Sequence, residues 1–268
     1  MTNYSAKDHA FVICAYKENP FLPDCLESLK TQSIKGNIFM ITSTPNDYIT
    51  NICKKNNIPL LINTGEKGLA QDWNFAIDNM PDKKLITVVH QDDIYEPDYI
   101  TAILSSINKS KNPLIAYTEY YEIRNDEKVY YNKLLRIKRL MNFMLRFRLL
   151  QQRRFIRRFI LRFGDPVCCP AVTFVNDALP KPVFDVKFKT ACDYKAWIDI
   201  STLKGSYIYI PRQLMGHRIH PESATSANII NNSKADEDFA IFSLLWPHWI
   251  AKILARFYSK AYESNTIN

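Results

Sequence analysis

A chain of 268 residues, 47% apolar and 23% charged, can bury one sizeable core and is too apolar to be disordered; its six glycines exclude a collagen-like or flexible low-complexity chain. The formal charge of +8 is localised: residues 133–162 hold eleven of the 35 basic residues and none of the 27 acidic ones, so the remainder sums to −3. The polar opening 1–9, the absence of an apolar run near the roughly 18 residues that span a bilayer, and six cysteines (14, 25, 53, 168, 169, 192) without CxxC spacing imply a cytoplasmic address with reduced, buried thiols.

In chain order, residues 10–15 read as a buried strand, and Pro20 and Pro23 open a helix through Leu26, Leu29 and Lys30. Strands follow at 37–41 and 58–62, then a helix over 68–80 with Leu69, Trp73 and Ala76 on one face. A fourth strand, 84–89, runs directly into His90-Gln-Asp-Asp93; another helix follows Pro97, and 114–117 is the next strand. Beyond the basic stretch come a strand-like 171–175, a helix over 193–203, and a last strand at 206–210 leading to Gly216-His-Arg-Ile-His220. An aromatic-rich helical pattern occupies 236–263. This alternation is that of an α/β fold with a largely parallel sheet, where ligands gather at the carboxyl ends of strands. Tyr16 to Asn19 and the pair Asp92 and Asp93 both fall at such ends.

Adjacent carboxylates at a strand end hold a hard divalent cation through oxygen while leaving room for phosphate. Asp92 and Asp93 suit that, with Glu96 and Asp98 nearby; the alternative is a turn or helix cap. In His217-Arg-Ile-His-Pro-Glu-Ser223, a neutral His220 imidazole is a potential ligand of the same metal and Arg218 a partner for phosphate; a loop satisfied by its own contacts is the alternative. Asp193 opens a helix, either as its N-cap or as a general base toward an incoming hydroxyl.

Together, over roughly residues 10–223, these segments resemble a family 2 glycosyltransferase of the GT-A fold. Phe11-Val-Ile-Cys-Ala-Tyr-Lys-Glu-Asn19 is similar to the family's opening strand, which holds the nucleobase. Gly68-Leu-Ala-Gln-Asp-Trp-Asn74 resembles its Gly-Leu-x-x-Ala-Arg-Asn segment, with Trp73 for the arginine. His90-Gln-Asp-Asp93 with Tyr95 and Pro97 resembles the Asp-x-Asp loop, with His90 for the first aspartate. Asp193-Tyr-x-x-Trp197 resembles the acidic pair before the acceptor helix, with Cys192 for the preceding glutamate, and Arg218-x-His220 with Ser223 resembles the loop over the diphosphate. Thr42-Ser43 stand where the family often has acids for uracil and ribose, which leaves the base open between uridine, thymidine and others.

The resemblance implies a GT-A (Rossmann-like), mostly parallel central sheet flanked by helices, and an inverting, metal-dependent transfer of a hexose-type sugar. The implied donor contacts are Ala15, Tyr16, Glu18, Thr42, Ser43, Gly68, Asn74, Gln91, Asp93 and Arg218; the metal ligands are Asp92 and His220, with Mn2+ or Mg2+ as cofactor; the base is Asp193.

Phe155-Ile156, Phe159-Ile160 and Phe163 recur at helical spacing, with Arg153, Arg154, Arg157, Arg158 and Arg162 on the remaining arc. An apolar face opposite an arginine face fits an anionic membrane surface; a core-packed helix with a solvated basic face and a nucleic-acid patch are the alternatives. The tail, with Phe239, Phe242, Leu245, Trp246, Trp249, Ile253 and Phe257, is expected to join it. The expected organisation is a nucleotide-sugar-binding half (1–128), a basic amphipathic helical insertion (129–164), an acceptor half (165–225) and a C-terminal helical extension (226–268). The expected partners are a nucleotide-diphosphate sugar, a glycan or lipid-linked acceptor in surface polysaccharide synthesis, and the inner face of the cell membrane through 133–163, without nucleic acid. Two rivals are a sugar nucleotidyltransferase, which wants a glycine-rich phosphate loop that Ala15-Tyr-Lys-Glu-Asn19 lacks, and a basic adaptor without catalysis.

Overall fold

The computed structural model describes residues 3–80, 82–220 and 233–263. The helices are α1 (Leu22–Lys30), α2 (Asp47–Asn56), α3 (Leu69–Asp78), α4 (Tyr99–Asn108), α5 (Lys133–Asn142), α6 (Arg148–Gln151), α7 (Arg154–Leu161), α8 (Cys192–Ser201), α9 (Ser233–Leu245) and α10 (His248–Glu263). The strands are β1 (His9–Ala15), β2 (Asn37–Thr42), β3 (Leu60–Ile62), β4 (Leu85–His90), β5 (Ile94–Tyr95), β6 (Pro113–Arg124), β7 (Glu127–Val129), β8 (Val172–Val175) and β9 (Ser206–Ile219).

All nine strands form one sheet in the order β3-β2-β1-β4-β8-β6-β9-β5, with β7 on the edge of β6. β3, β2, β1 and β4 pair in parallel; β8 runs against both β4 and β6, and β9 runs parallel to β6. β1, β2, β3, β4, β6 and β9 therefore point the same way, the mostly parallel α/β sheet the sequence predicts. β1 lies between parallel neighbours and is covered on both faces, which is why it reads as an unbroken apolar run. Alternate residues feed two cores: Ala10, Val12, Ile86 and Val88 meet Trp73, Phe174 and Trp197 on one face, and Phe11, Ile13, Leu85 and Val89 meet Tyr95, Tyr99 and Ile103 on the other.

Three features go beyond the sequence expectations. α2 is not anticipated, although Asn46 caps it by accepting from the Ile49 N–H at 2.9 Å and Asn57 ends it in the left-handed conformation, φ 52°. β6 and β9 run on past the predicted 114–117 and 206–210, pairing from Pro113↔Ser206 to Arg124↔Ile219 through register shifts about Glu119. Arg157, expected with the other arginines on the arc opposite the apolar face, is a buried residue. It donates to the carbonyls of Ser201 (2.9 Å), Gly205 (2.6 Å) and Leu203 where α8 ends. Oxygens left free at a helix C-terminus are natural partners for a guanidinium. All six cysteines are free thiols, and no helix among the described residues is long and apolar enough to cross a membrane.

Candidate active site

The carboxyl ends of β1, β4 and β9 meet because β5, just after the acidic loop, pairs antiparallel with the second half of β9: Ile94 lies opposite Gly216 and Tyr95 opposite Met215. This pairing brings residues 92–93 to residues 217–220, more than 120 positions away. Gly216 is required for the approach, since a Cβ there would lie 2.6 Å from the buried ring of Tyr121. Gln91 ties the β1 loop to the β4 loop with two bonds, accepting from the Tyr16 N–H at 3.0 Å and donating to its carbonyl at 2.9 Å. Gln91 thus holds Tyr16 in place, and Tyr16 itself is half exposed.

Asp93 is fully buried beneath β9. Its Oδ1 accepts from the Arg218 N–H at 2.9 Å and faces His217 Nδ1 at 3.0 Å; its Oδ2 lies 3.8 Å from His90 Nδ1. Asp92 Oδ2 lies 2.8 Å from His220 Nε2, so the two residues expected to ligate a metal are brought into direct contact. Arg218 donates from Nε to the Asp92 carbonyl at 3.1 Å, pairs with Asp126 at 2.8 Å and lies 4.2 Å over the Phe21 ring. Glu96 and Asp98 are engaged elsewhere, Glu96 with Tyr121 (2.7 Å) and Lys128 (2.9 Å), Asp98 with Arg212 (2.9 Å). Ser223 lies outside the described residues.

The electrostatics follow from burial among opposite charges. Burial raises Asp92, but the His220 hydrogen bond and the nearby imidazoles outweigh it and hold the carboxyl below its usual range. Burial lowers His217, yet the charge and hydrogen bond of Asp93 carry it above its ordinary value. For His90 burial wins over both aspartates, and the imidazole is biased toward its neutral, ligating form.

A divalent cation fits this donor set. One potential ligand atom from each of His90, Asp92 and Asp93 lies within 4.8 Å of the others. Asp93 Oδ2 and His90 Nε2 are buried and have no hydrogen-bond partner. A carboxylate oxygen orphaned inside a protein is costly unless something satisfies it, and a hard cation does so. His90 is absent from the metal ligands read from the sequence; histidine as a metal-binding residue type was the available signal.

The other residues expected to contact the donor lie on several elements. Ala15 and Thr42 end β1 and β2 in register. Glu18 is exposed, after Lys17, whose φ of 55° turns the loop and whose N–H donates to Thr44 at 2.7 Å. Ser43 donates to Asp72 Oδ2 at 2.8 Å, and Asn63 donates to Asp72 Oδ1 at 2.8 Å. Asp72 and Asn63 were not predicted; together they build a polar floor where β2 and β3 end. Gly68 precedes α3 as its N-cap residue. Asn74 uses both amide atoms on the Phe184 backbone, at 2.8 and 2.9 Å, and so anchors the 180s segment.

Asp193 stands in the first turn of α8, its Oδ1 accepting from the Tyr194 N–H at 2.8 Å, and its charge reaches His90. The true cap of this end comes from afar. Glu237 in α9 accepts from the N–H groups of Lys189 (2.8 Å), Thr190 (2.8 Å) and Ala191 (2.9 Å) and from the Thr190 hydroxyl (2.8 Å).

The family model described as Glycosyl transferase family 2 matches residues 10–177. No curated protein matches the sequence. The fold is similar to that of S. aureus TarS 1-349 in complex with UDP-GlcNAc, with a TM-score of 0.64 and 11% identity over 92% of this chain and 70% of that one. It is also similar to S. aureus TarS 1-349 in complex with UDP (TM-score 0.58, 14% identity, 89% of this chain and 70% of that one). A third similar structure is GalNAc-T7 with UDP, GalNAc and Mn2+ (TM-score 0.58, 10% identity, 93% of this chain and 54% of that one). At these identities the likeness is one of fold.

Proposed function

The chain belongs to glycosyl transferase family 2, and we propose that it moves a hexose-type sugar from a nucleotide-diphosphate donor to a hydroxyl of a lipid-linked glycan, with inversion, at the cytoplasmic face of a membrane. The carrying observation is the orphaned Oδ2 of Asp93 set between His90 and Asp92 at the carboxyl edge of the sheet, with Arg218 folded over the same loop. The nucleotides and the Mn2+ bound by the similar structures accord with such a site.

In this reading Asp92 and Asp93, with an imidazole from His90 or His220, would hold a divalent cation, which when bound would supply neutralisation of charge on the diphosphate. Arg218 turns from the exposed Asp126 to a phosphate oxygen, exchanging one ion pair for another at little cost. Asp193 takes the proton of the acceptor hydroxyl as that oxygen bonds to the anomeric carbon and the carbon–phosphate-oxygen bond breaks on the opposite side. The base is read by Thr42, Ser43 and the floor beneath them. The test is thermal stabilisation by a panel of nucleoside diphosphates, with and without Mn2+, on wild type and Asp92→Ala. A metal-dependent shift with one nucleotide, lost in the variant, supports the reading and names the base; no shift with any nucleotide rejects it.

A further inference from the structure

The basic segment is folded inside out relative to a simple amphipathic helix on a core. In α7 the cation Arg157 points inward with 1% exposure, while Phe155 is 75% exposed and Phe159 and Phe163 are exposed beside it. The three rings form a row with centroid spacings of 6.1 and 5.2 Å, and Phe163 meets Trp246 at 5.8 Å, which carries the row across to the α9–α10 hairpin. On α10 itself Trp249 (66% exposed), Ile253 and Phe257 are exposed at helical spacing. Single exposed apolar side chains are ordinary, but a row built from segments 90 residues apart is a contact surface. Arg153, Arg154, Arg158 and Arg162 are exposed around it.

The inner faces of the same elements grip α8. Arg157 of α7 binds three carbonyls where α8 ends, and Glu237 of α9 binds three amides where it begins. Each charge also opposes the helix dipole at its own end, cation at the C-terminus and anion at the N-terminus. Trp246 Nε1 donates to the Arg162 carbonyl at 2.8 Å and the Tyr258 hydroxyl accepts from the Asp165 N–H at 3.1 Å, which fasten the hairpin to α7 and to the chain after it.

We propose that α7 and the α9–α10 hairpin form one face that docks on an anionic lipid bilayer, and that Arg157 and Glu237 fix α8, with Asp193, to that face. The occupant follows from charge. The exposed Arg153, Arg154, Arg158 and Arg162 would repel the same face of a second copy, whereas anionic headgroups neutralise them and the aromatic row enters the acyl boundary. The inference rests on the lipid-linked acceptor proposed above, and gives α8 its purpose: it holds the base at a set height over the surface from which that acceptor emerges.

The test uses the full chain and vesicles of phosphatidylcholine with or without phosphatidylglycerol. Wild type is expected to float with the anionic vesicles and to stay in solution with the neutral ones. Phe155→Glu with Phe159→Glu, and separately Trp249→Glu with Phe257→Glu, are expected to weaken partitioning at least about tenfold while leaving the melting temperature and nucleotide-induced shift in place, since these side chains already face solvent. Glu237→Gln is expected to keep docking and nucleotide binding and to slow transfer to the acceptor by up to about a hundredfold, the scale on which a catalytic group displaced by about 1 Å is felt. Failure of wild type to float, or a concentration-dependent dimer abolished by the same aromatic variants, overturns the docking face. Unchanged transfer in Glu237→Gln overturns the link to α8. Absence of any nucleotide-induced shift counts instead against the transferase reading, because flotation does not depend on it.

Discussion

Trp73 and His90 stack face to face, with ring centroids 4.9 Å apart and planes within 15°. These are two positions at which the chain departs from the glycosyltransferase segments it resembles, one having lost an arginine and the other an aspartate. The departures fit each other: the indole plates the imidazole, and such a pair contributes about 0.5–1.5 kcal/mol beyond its buried area.

The first prediction concerns the metal. A donor set that includes an imidazole should favour Mn2+ or a later first-row cation over Mg2+, which wants an all-oxygen shell. Competition measured by the electron paramagnetic resonance of free Mn2+ should show Mg2+ displacing it poorly from wild type. His90→Asp should bring the two affinities closer by about tenfold; an unchanged ratio would show that His90 is no ligand.

Arg157→Met should be one of the most damaging single changes outside the site. It removes the guanidinium from three carbonyls around the end of α8, two of them on the buried Ser201 and Gly205, while Leu203 keeps Arg154 Nε at 3.2 Å. The expected loss is about 2–4 kcal/mol by urea denaturation. Arg158→Met, one residue on and exposed, should cost less than about 0.5 kcal/mol.

Glu237 gives stability an acid limb. Burial raises its carboxyl, but the N–H groups of Lys189, Thr190 and Ala191 and the Thr190 hydroxyl bring the net value below the ordinary 4.5. A carboxyl depressed in the folded state stabilises above its unfolded value and loses that contribution as pH falls through the folded one. The wild-type advantage over Glu237→Gln should be full above pH 4.5 and shrink below it. Melting temperatures across that range read the effect; parallel curves for the two proteins would contradict it.

Gly216→Ala should open the site from behind. Its added methyl lies 2.6 Å from a buried ring, so β9 or Tyr121 must shift, at about 1–3 kcal/mol. Tyr121→Leu should recover part of the metal-dependent nucleotide shift in the double variant, because it makes the space that the methyl needs.

Asp72→Ala should weaken nucleotide binding by releasing Ser43 and Asn63 together. A loss of about tenfold is expected, with about 1–3 kcal/mol of stability from the unpaired groups. Ser43→Ala should reproduce much of the affinity loss with little of the destabilisation, measured by titrating the preferred nucleoside diphosphate.

Much of the fold is legible in the sequence, because buried parallel strands such as β1 and β4 are continuous apolar runs that end in polar loops. The second halves of β6 and β9 are not, since Glu119, Arg212 and Gln213 interrupt the apolar pattern at the point where the strands leave the core. Their pairing is what delivers residues 217–220 to Asp92, so the Asp92–His220 contact follows from the order of motifs and not from periodicity. Arg157 is indistinguishable by type from the arginines beside it; its burial depends on carbonyls 44–48 residues away. Glu237 is likewise one acid in a polar helix start, and its four partners exist only once α8 is in place.

α8 lies beyond the residues shared with the family model, 10–177, yet neither of its ends is self-sufficient. Grafting α8 with its flanks, residues 189–205, into a relative to change acceptor choice would take three amides and three carbonyls away from Glu237 and Arg157. The smallest transplantable unit is therefore α7, α8 and α9 together, and any recombination boundary drawn between them should yield chimeras that bind donor and fail to transfer.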